Sequence, residues 1–196
     1  MNEKEMYEIF AYNLERHIEV SEKMSALNEN IVKIARLITT AQKNGGRVFF
    51  CGNGGSAADA QHIAAELSGR YLMNRPALDA EALHCNTSAL TAIANDFGYE
   101  DIFARQVQAF GRAGDVLVAI STSGSSTNVI KAVEAAEKKG MKSVAFVGVN
   151  EGALTKIVDL SIAVPSKETP RIQEMHILIG HTLCEIIEKE IFSAVK

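Results

Sequence analysis

The sequence is poor in proline. Pro76, Pro165 and Pro170 are the three in 196 residues, and no linker, internal repeat or low-complexity tract divides the chain. That length fits one domain of ordinary size, with room for a core that needs no disulfide or metal staple. Cysteine is equally scarce. Cys51, Cys85 and Cys184 are an odd number without metal-ligand spacing, which reads as a reduced, cytoplasmic protein. No apolar run reaches the length of about 18 residues that a membrane-spanning helix needs. The start, MNEKEMYEIF, has no apolar signal segment, which argues against export by that route. Neither charge sign dominates: 20 Lys+Arg face 24 Asp+Glu, for a net charge of −4. This balance gives no general pull toward nucleic acid or an anionic membrane. With 47% hydrophobic and 22% charged residues, the composition excludes extended disorder and collagen-like structure.

What is present is ordered. Met6, Ile9, Phe10, Leu14 and Ile18 recur at helical spacing, as do Ile31, Ile34, Ala35, Leu37 and Ile38. Residues 1–44 therefore read as two helices, ended by Gly45-Gly46. Residues 45–196 then alternate. Apolar runs at Arg47–Cys51, Ala80–His84, Asp115–Ile120, Ser143–Val147 and Leu160–Val164 predict strands. Ser56–Tyr71, Thr87–Phe97, Ile102–Arg112 and Thr127–Lys139 predict the helices between them. A last helix is predicted from about Pro170 to Phe192, with proline suited to a first turn whose amide is unpaired anyway. Such alternation argues an α/β fold, a parallel sheet covered on both faces.

Ligands of parallel sheets bind at the carboxyl ends of strands, where helix N-termini point. The first loop there is Cys51-Gly52-Asn53-Gly54-Gly55-Ser56. Its glycines allow positive φ and close approach of a ligand, and free amides at a helix start favour an anion. The alternative is a tight turn with no ligand. Gly52-x-Gly54-x-x-Ala57 also fits a dinucleotide fingerprint, but no acid stands about 20 residues on, so a nicotinamide oxidoreductase is disfavoured. The second loop, Ser121-Thr122-Ser123-Gly124-Ser125-Ser126-Thr127, offers hydroxyls and amides to phosphate oxygens before a helix N-terminus. N-capping by one hydroxyl is the plainer alternative. Asn95-Asp96-Phe97-Gly98 reads as a helix stop.

Two helices carry titratable groups. His62 and Glu66, four apart, share a helix face at a spacing that suits one metal ion. An exposed polar pair is the plainer reading. On the last helix the apolar stripe is Ile172, Met175, Ile179, Leu183 and Ile186. His176 lies near it and reads as packed. His181 lies off it, with Glu174, Ile177, Glu185 and Glu188, on what reads as a solvated face. Gln173 and His181 stand about 12 Å apart along a helix axis and about 80° around it, an awkward pair for one ion. His17 and His84 read as structural.

Taken together, CGNGGSAADAQHIAAELSGRY, AIANDFGYEDIFARQVQAFGR, GDVLVAISTSGSSTNVIKAVEAA and PRIQEMHILIGHTLCEIIE resemble the phosphoheptose isomerases of the sugar-isomerase (SIS-domain) superfamily. The resemblance runs from about Gly45 to Phe192. It implies a single SIS domain over residues 1–196: a three-layer, five-stranded parallel sheet flanked by helices, with residues 1–44 used in packing and assembly. It implies a homotetramer with sites between subunits. The implied reaction interconverts sedoheptulose 7-phosphate and D-glycero-D-manno-heptose 7-phosphate, opening the route to nucleotide-activated heptoses for surface polysaccharide such as lipopolysaccharide. By resemblance, Asn53, Gly54 and Gly55 line the sugar, and Asn95 and Asp96 contact it. Ser121, Thr122, Ser123 and Ser126 hold the phosphate. His62, Glu66, Gln173 and His181 match the zinc positions, for one zinc ion per subunit. Glu66 and His181 match the acid–base pair, and Glu66 and Gln173 also touch substrate.

Two other functions compete. The superfamily includes a non-catalytic relative that binds the bacterial replication initiator and resembles the TAIAND and RIQEMH segments. Such a protein would not need the competent groups at Glu66 and His181. A phosphosugar-sensing regulator is the second, and no DNA-binding module accompanies the chain.

Overall fold

Near-continuous apolar strands need cover on both faces, and the computed structural model, which describes residues 1–150 and 152–193, provides it. The strands are β1 (Val48–Gly52), β2 (Ala80–Ala82), β3 (Val116–Ser121), β4 (Lys142–Gly148) and β5 (Leu160–Val164). They form one parallel sheet in the order β2-β1-β3-β4-β5. The helices are α1 (Glu3–Lys23), α2 (Asn28–Lys43), α3 (Gly55–Ser68), α4 (Thr87–Phe97), α5 (Ala104–Phe110), α6 (Thr127–Lys138) and α7 (Thr169–Phe192). The expected three-layer α/β architecture with two N-terminal helices is present.

Alternation along each strand divides the core in two. Phe50, Val118 and Phe146 face one side, with Ile34 and Ile38 of α2, Ile63 and Leu67 of α3, and Met175 and Ile179 of α7. Phe49, Leu117 and Ala145 face the other, with Val107 of α5 and Val129 and Val133 of α6. Helix α1 starts at a capping box: the Asn2 side chain accepts from the Glu5 amide, and the Glu5 carboxylate accepts from the Asn2 amide.

Several boundaries differ from the sequence expectation, and three of the differences have a visible cause. Strand β2 stops at Ala82, because Cys85 N–H turns back to the Ala82 carbonyl. Helix α3 stops at Ser68 instead of Tyr71, because the amides of Tyr71, Leu72 and Met73 donate to the Glu188 carboxylate. Helix α5 begins at Ala104, after a 3₁₀ turn over Tyr99–Asp101. Among the described residues, no helix is long and apolar enough to cross a membrane.

Helices α3 and α7 approach at a glycine. A Cβ on Gly180 would lie 2.5 Å from Ile63 Cδ1, so the close contact requires glycine there. Their neighbours in sequence, His62 and His181, are brought side by side.

Candidate active site

Both glycine- and serine-rich loops lie at the carboxyl edge of the sheet, each feeding a helix. Gly54, at φ 56°, begins α3 without a side-chain cap. Ser126 stands before α6, yet its hydroxyl makes no capping bond. It instead lies 3.0 Å from Ser121 Oγ. Ser123 Oγ is 3.4 Å from Ser121 Oγ and accepts from Ser125 Oγ at 3.1 Å. Simple N-capping is therefore not what the hydroxyls do. They form a cluster in front of the N-terminus of α6, the arrangement that suits a phosphate.

Asn53 joins this loop to the next. Its Nδ2 donates to Asn128 Oδ1 at 2.9 Å, and its Oδ1 accepts from Asn128 Nδ2 at 2.8 Å and from Tyr99 Oη at 3.0 Å. Asn53, Ser126, Asn128 and the Phe97–Glu100 segment line an open cavity of about 660 Å³. Asn95 and Asp96 precede that segment, exposed, with Asn95 Nδ2 donating to Asp96 Oδ1. Gln173 packs on the first loop: a Cβ on Gly55 would lie 2.4 Å from Gln173 Nε2.

A second constellation lies further along α3. His62 Nε2 is 3.1 Å from Glu66 Oε1 and 3.3 Å from His181 Nε2. One ligand atom from each of the three lies within 4.8 Å of the others. The His181 ring stacks on Tyr71, with centroids 5.4 Å apart and planes 17° apart. Two imidazoles and a carboxylate are a donor set that zinc accepts while keeping a position for another ligand. Gln173, expected in the same set, lies about 12 Å from His181 along the unbroken α7 and beside the first loop instead. Asp59, one turn before His62, is pushed up to about 6 by burial, opposed by nearby His62.

Sequence reasoning missed the support for this cluster. Glu188, placed on a solvated face of α7, is buried with Arg75, each side chain 1% exposed. Arg75 Nε donates to Glu188 at 2.8 Å. Its remaining nitrogens donate to the Leu67, Gly69, Pro76 and Glu66 carbonyls, closing the end of α3. Burial acts to raise the Glu188 pKa, but the amides of Met73, Tyr71 and Leu72 and the Arg75 guanidinium hold it below the usual carboxylate range. An arginine near a proline, 113 residues from its partner, leaves no local signal. Asn128 and Tyr99 were missed likewise.

The other histidines are structural or peripheral. His176 is fully buried, 3.3 Å from the Val147 carbonyl, and burial lowers its pKa to about 4. His17 Nδ1 is 2.8 Å from Glu174 Oε2. His84 has no hydrogen-bond partner among the described residues. Cys51 and Cys184 are buried thiols pushed up to about 12 by burial, and therefore unreactive.

The comparisons with known proteins agree with this arrangement. The family model described as SIS domain matches residues 13–148. The phosphoheptose isomerase of Rhodospirillum rubrum is 55% identical over 163 residues, 83% of this chain and 87% of that protein. The structure of a Neisseria gonorrhoeae phosphoheptose isomerase matches with a TM-score of 0.89 at 44% identity, over 94% of this chain and 99% of that one. A phosphoheptose isomerase from Francisella tularensis matches with a TM-score of 0.91 at 38% identity, over 96% and 100% of the two chains. The chain belongs to the phosphoheptose isomerases, aldose–ketose isomerases built on the SIS domain.

Proposed function

We propose that this chain interconverts sedoheptulose 7-phosphate and D-glycero-D-manno-heptose 7-phosphate through an enediol, at the first step toward nucleotide-activated heptoses. The observation that carries the reading is the meeting of His181 from α7 with His62 and Glu66 from α3. Moving a carbonyl between C2 and C1 requires a base that takes a proton from one carbon and returns it to the next. It also requires a group that moves a proton between the two oxygens. Glu66 is the base and His181 the oxygen shuttle, its ring held by the Tyr71 stack. The hydroxyls of Ser121, Thr122, Ser123 and Ser126 and the α6 amides bind the phosphate. Gly54, Gly55, Asn95, Asp96 and Gln173 orient the sugar, and Asn53, which shares a cavity with Ser126, lies at its phosphate end.

His62, Glu66 and His181 would hold one zinc ion per subunit, with Gln173 as a further ligand where a second copy brings it near. Bound there, the ion supplies Lewis-acid polarisation of the carbonyl.

A homotetramer with sites between subunits suits two features. Met6, Ile9, Phe10, Leu14 and Ile18 of α1 are 46–71% exposed, an apolar stripe without cover in one chain. Gly55 and Glu66 stand about 16 Å apart along α3, so the phosphate loop and acid–base pair of one chain are well separated. Residues 1–44 then serve assembly and 45–196 the reaction, within one SIS domain. Three unpaired thiols support a cytoplasmic location.

The test is incubation of the protein with sedoheptulose 7-phosphate in deuterated water, with zinc and with chelator, followed by NMR. Conversion with deuterium uptake, lost on chelation, is expected. No conversion by folded, zinc-loaded protein would overturn the reading in favour of a binding role.

A further inference from the structure

We infer that Asn53 meets the substrate phosphate as a hydrogen-bond donor only, and that Asn128 and Tyr99 are the positioning residues that make it so. The inference rests on the phosphosugar reading of the two loops. A side-chain amide has one oxygen with two lone pairs and one nitrogen with two protons. Both lone pairs of Asn53 Oδ1 are occupied, by Asn128 Nδ2 at 2.8 Å and Tyr99 Oη at 3.0 Å. One Nδ2 proton is occupied by Asn128 Oδ1 at 2.9 Å. One N–H is left, on a side chain that shares its cavity with Ser126 and Thr127 of the phosphate loop.

The partners are themselves held. Asn128 is 4% exposed in the first turn of α6. The turn that carries Tyr99 is tied to α6 by Lys131, whose Nζ donates to Glu100 at 2.6 Å and Asp101 at 3.1 Å. Turning both amides over together would keep their mutual pair. Asn53 would then spend its second proton on Tyr99 Oη and offer a lone pair instead. The unprotonated oxygens of a phosphate only accept, so a site occupied by the dianion selects the donating arrangement. A neutral amide in a fixed pose binds the anion at little ordering cost. A carboxamide neither gains nor loses a proton in the working range, so the contribution of Asn53 is to binding rather than to proton transfer.

The test is a double-mutant cycle on the full chain, read as the Kd for inorganic phosphate by calorimetry and as KM and kcat for sedoheptulose 7-phosphate. Asn53→Ala and Asn128→Ala each weaken phosphate about tenfold and raise KM while leaving kcat within about twofold. In the Asn53→Ala background, Asn128→Ala has no further effect, because its action passes through Asn53. Tyr99 is exposed, so Tyr99→Phe folds even where Asn128→Ala does not, and it weakens phosphate about threefold by the same route. Equal losses from Asn128→Ala or Tyr99→Phe with and without Asn53 would overturn the inference, as would loss in kcat alone or no phosphate binding by the wild-type protein. Phosphate binding with the expected cycle but no sugar turnover would sink the isomerase reading and leave this one standing.

Discussion

The two ends of α3 are built differently. At its N-terminus the backbone is glycine, and order comes from polar side chains in two hydrogen-bonded sets at the open carboxyl edge of the sheet: Asn53 with Asn128 and Tyr99, and the neighbouring serine cluster. At its C-terminal end order comes from a buried ion pair, Arg75 with Glu188, which takes up three amides and four carbonyls. The difference teaches how each task is served. A phosphate needs free amides and hydroxyls, so its end leaves helix caps unmade. Proton transfer needs side chains in fixed poses, so the end near Glu66 and His181 is fastened from behind.

The comparison breaks hardest at the acid–base end. Glu66→Gln lowers turnover by about 10²- to 10⁴-fold, measured as deuterium incorporation, while inorganic phosphate binds as before at the other end of the helix. Turnover at the wild-type rate would remove Glu66 as the base. Next is the fastening itself. Glu188→Ala strands a buried guanidinium and three amides and costs about 3–5 kcal/mol in urea unfolding. A loss within the range of a surface substitution would show that the clamp is not what orders this end.

If the two ends work in the same site only across subunits, the α1 stripe matters as well. Phe10→Asp converts the assembly to smaller species by light scattering, with turnover falling in step and the fold of each chain retained. Smallest is a control belonging to neither end. His176 is held neutral in the fold, at about 4, whereas an unfolded imidazole titrates near 6.5. Between those values the unfolded chain binds more protons, so stability falls as pH drops from about 6.5 to about 4, where the loss is complete. His176→Gln flattens that part of the Tm-against-pH curve.

Much of this was legible in the sequence, because it depends on local pattern. The five apolar runs became five parallel strands, since continuous hydrophobicity over a strand length demands cover on both faces. The loops at Gly52–Gly55 and Ser121–Thr127 stood out because small and hydroxyl residues after a strand and before a helix have few other uses. The stop of α4 at Phe97, followed by Gly98 at φ 96°, was equally local.

What the sequence by itself determined is therefore the layer order, the two loops and the residue types available for chemistry. Only the tertiary structure decided which of them meet. His181 shares a helix face with Glu185 and Glu188 by spacing, yet the contact of Gly180 on Ile63 sets it against His62 and Glu66. Glu188, one of the same acidic set, is buried because its partners lie on the 71–75 segment, more than a hundred residues away. Asn128 looks like an ordinary first-turn residue until the strand order places α6 beside the β1–α3 loop. Periodicity reports which face of an element is apolar, whereas a site is made by elements distant in sequence, and their contact is fixed by packing.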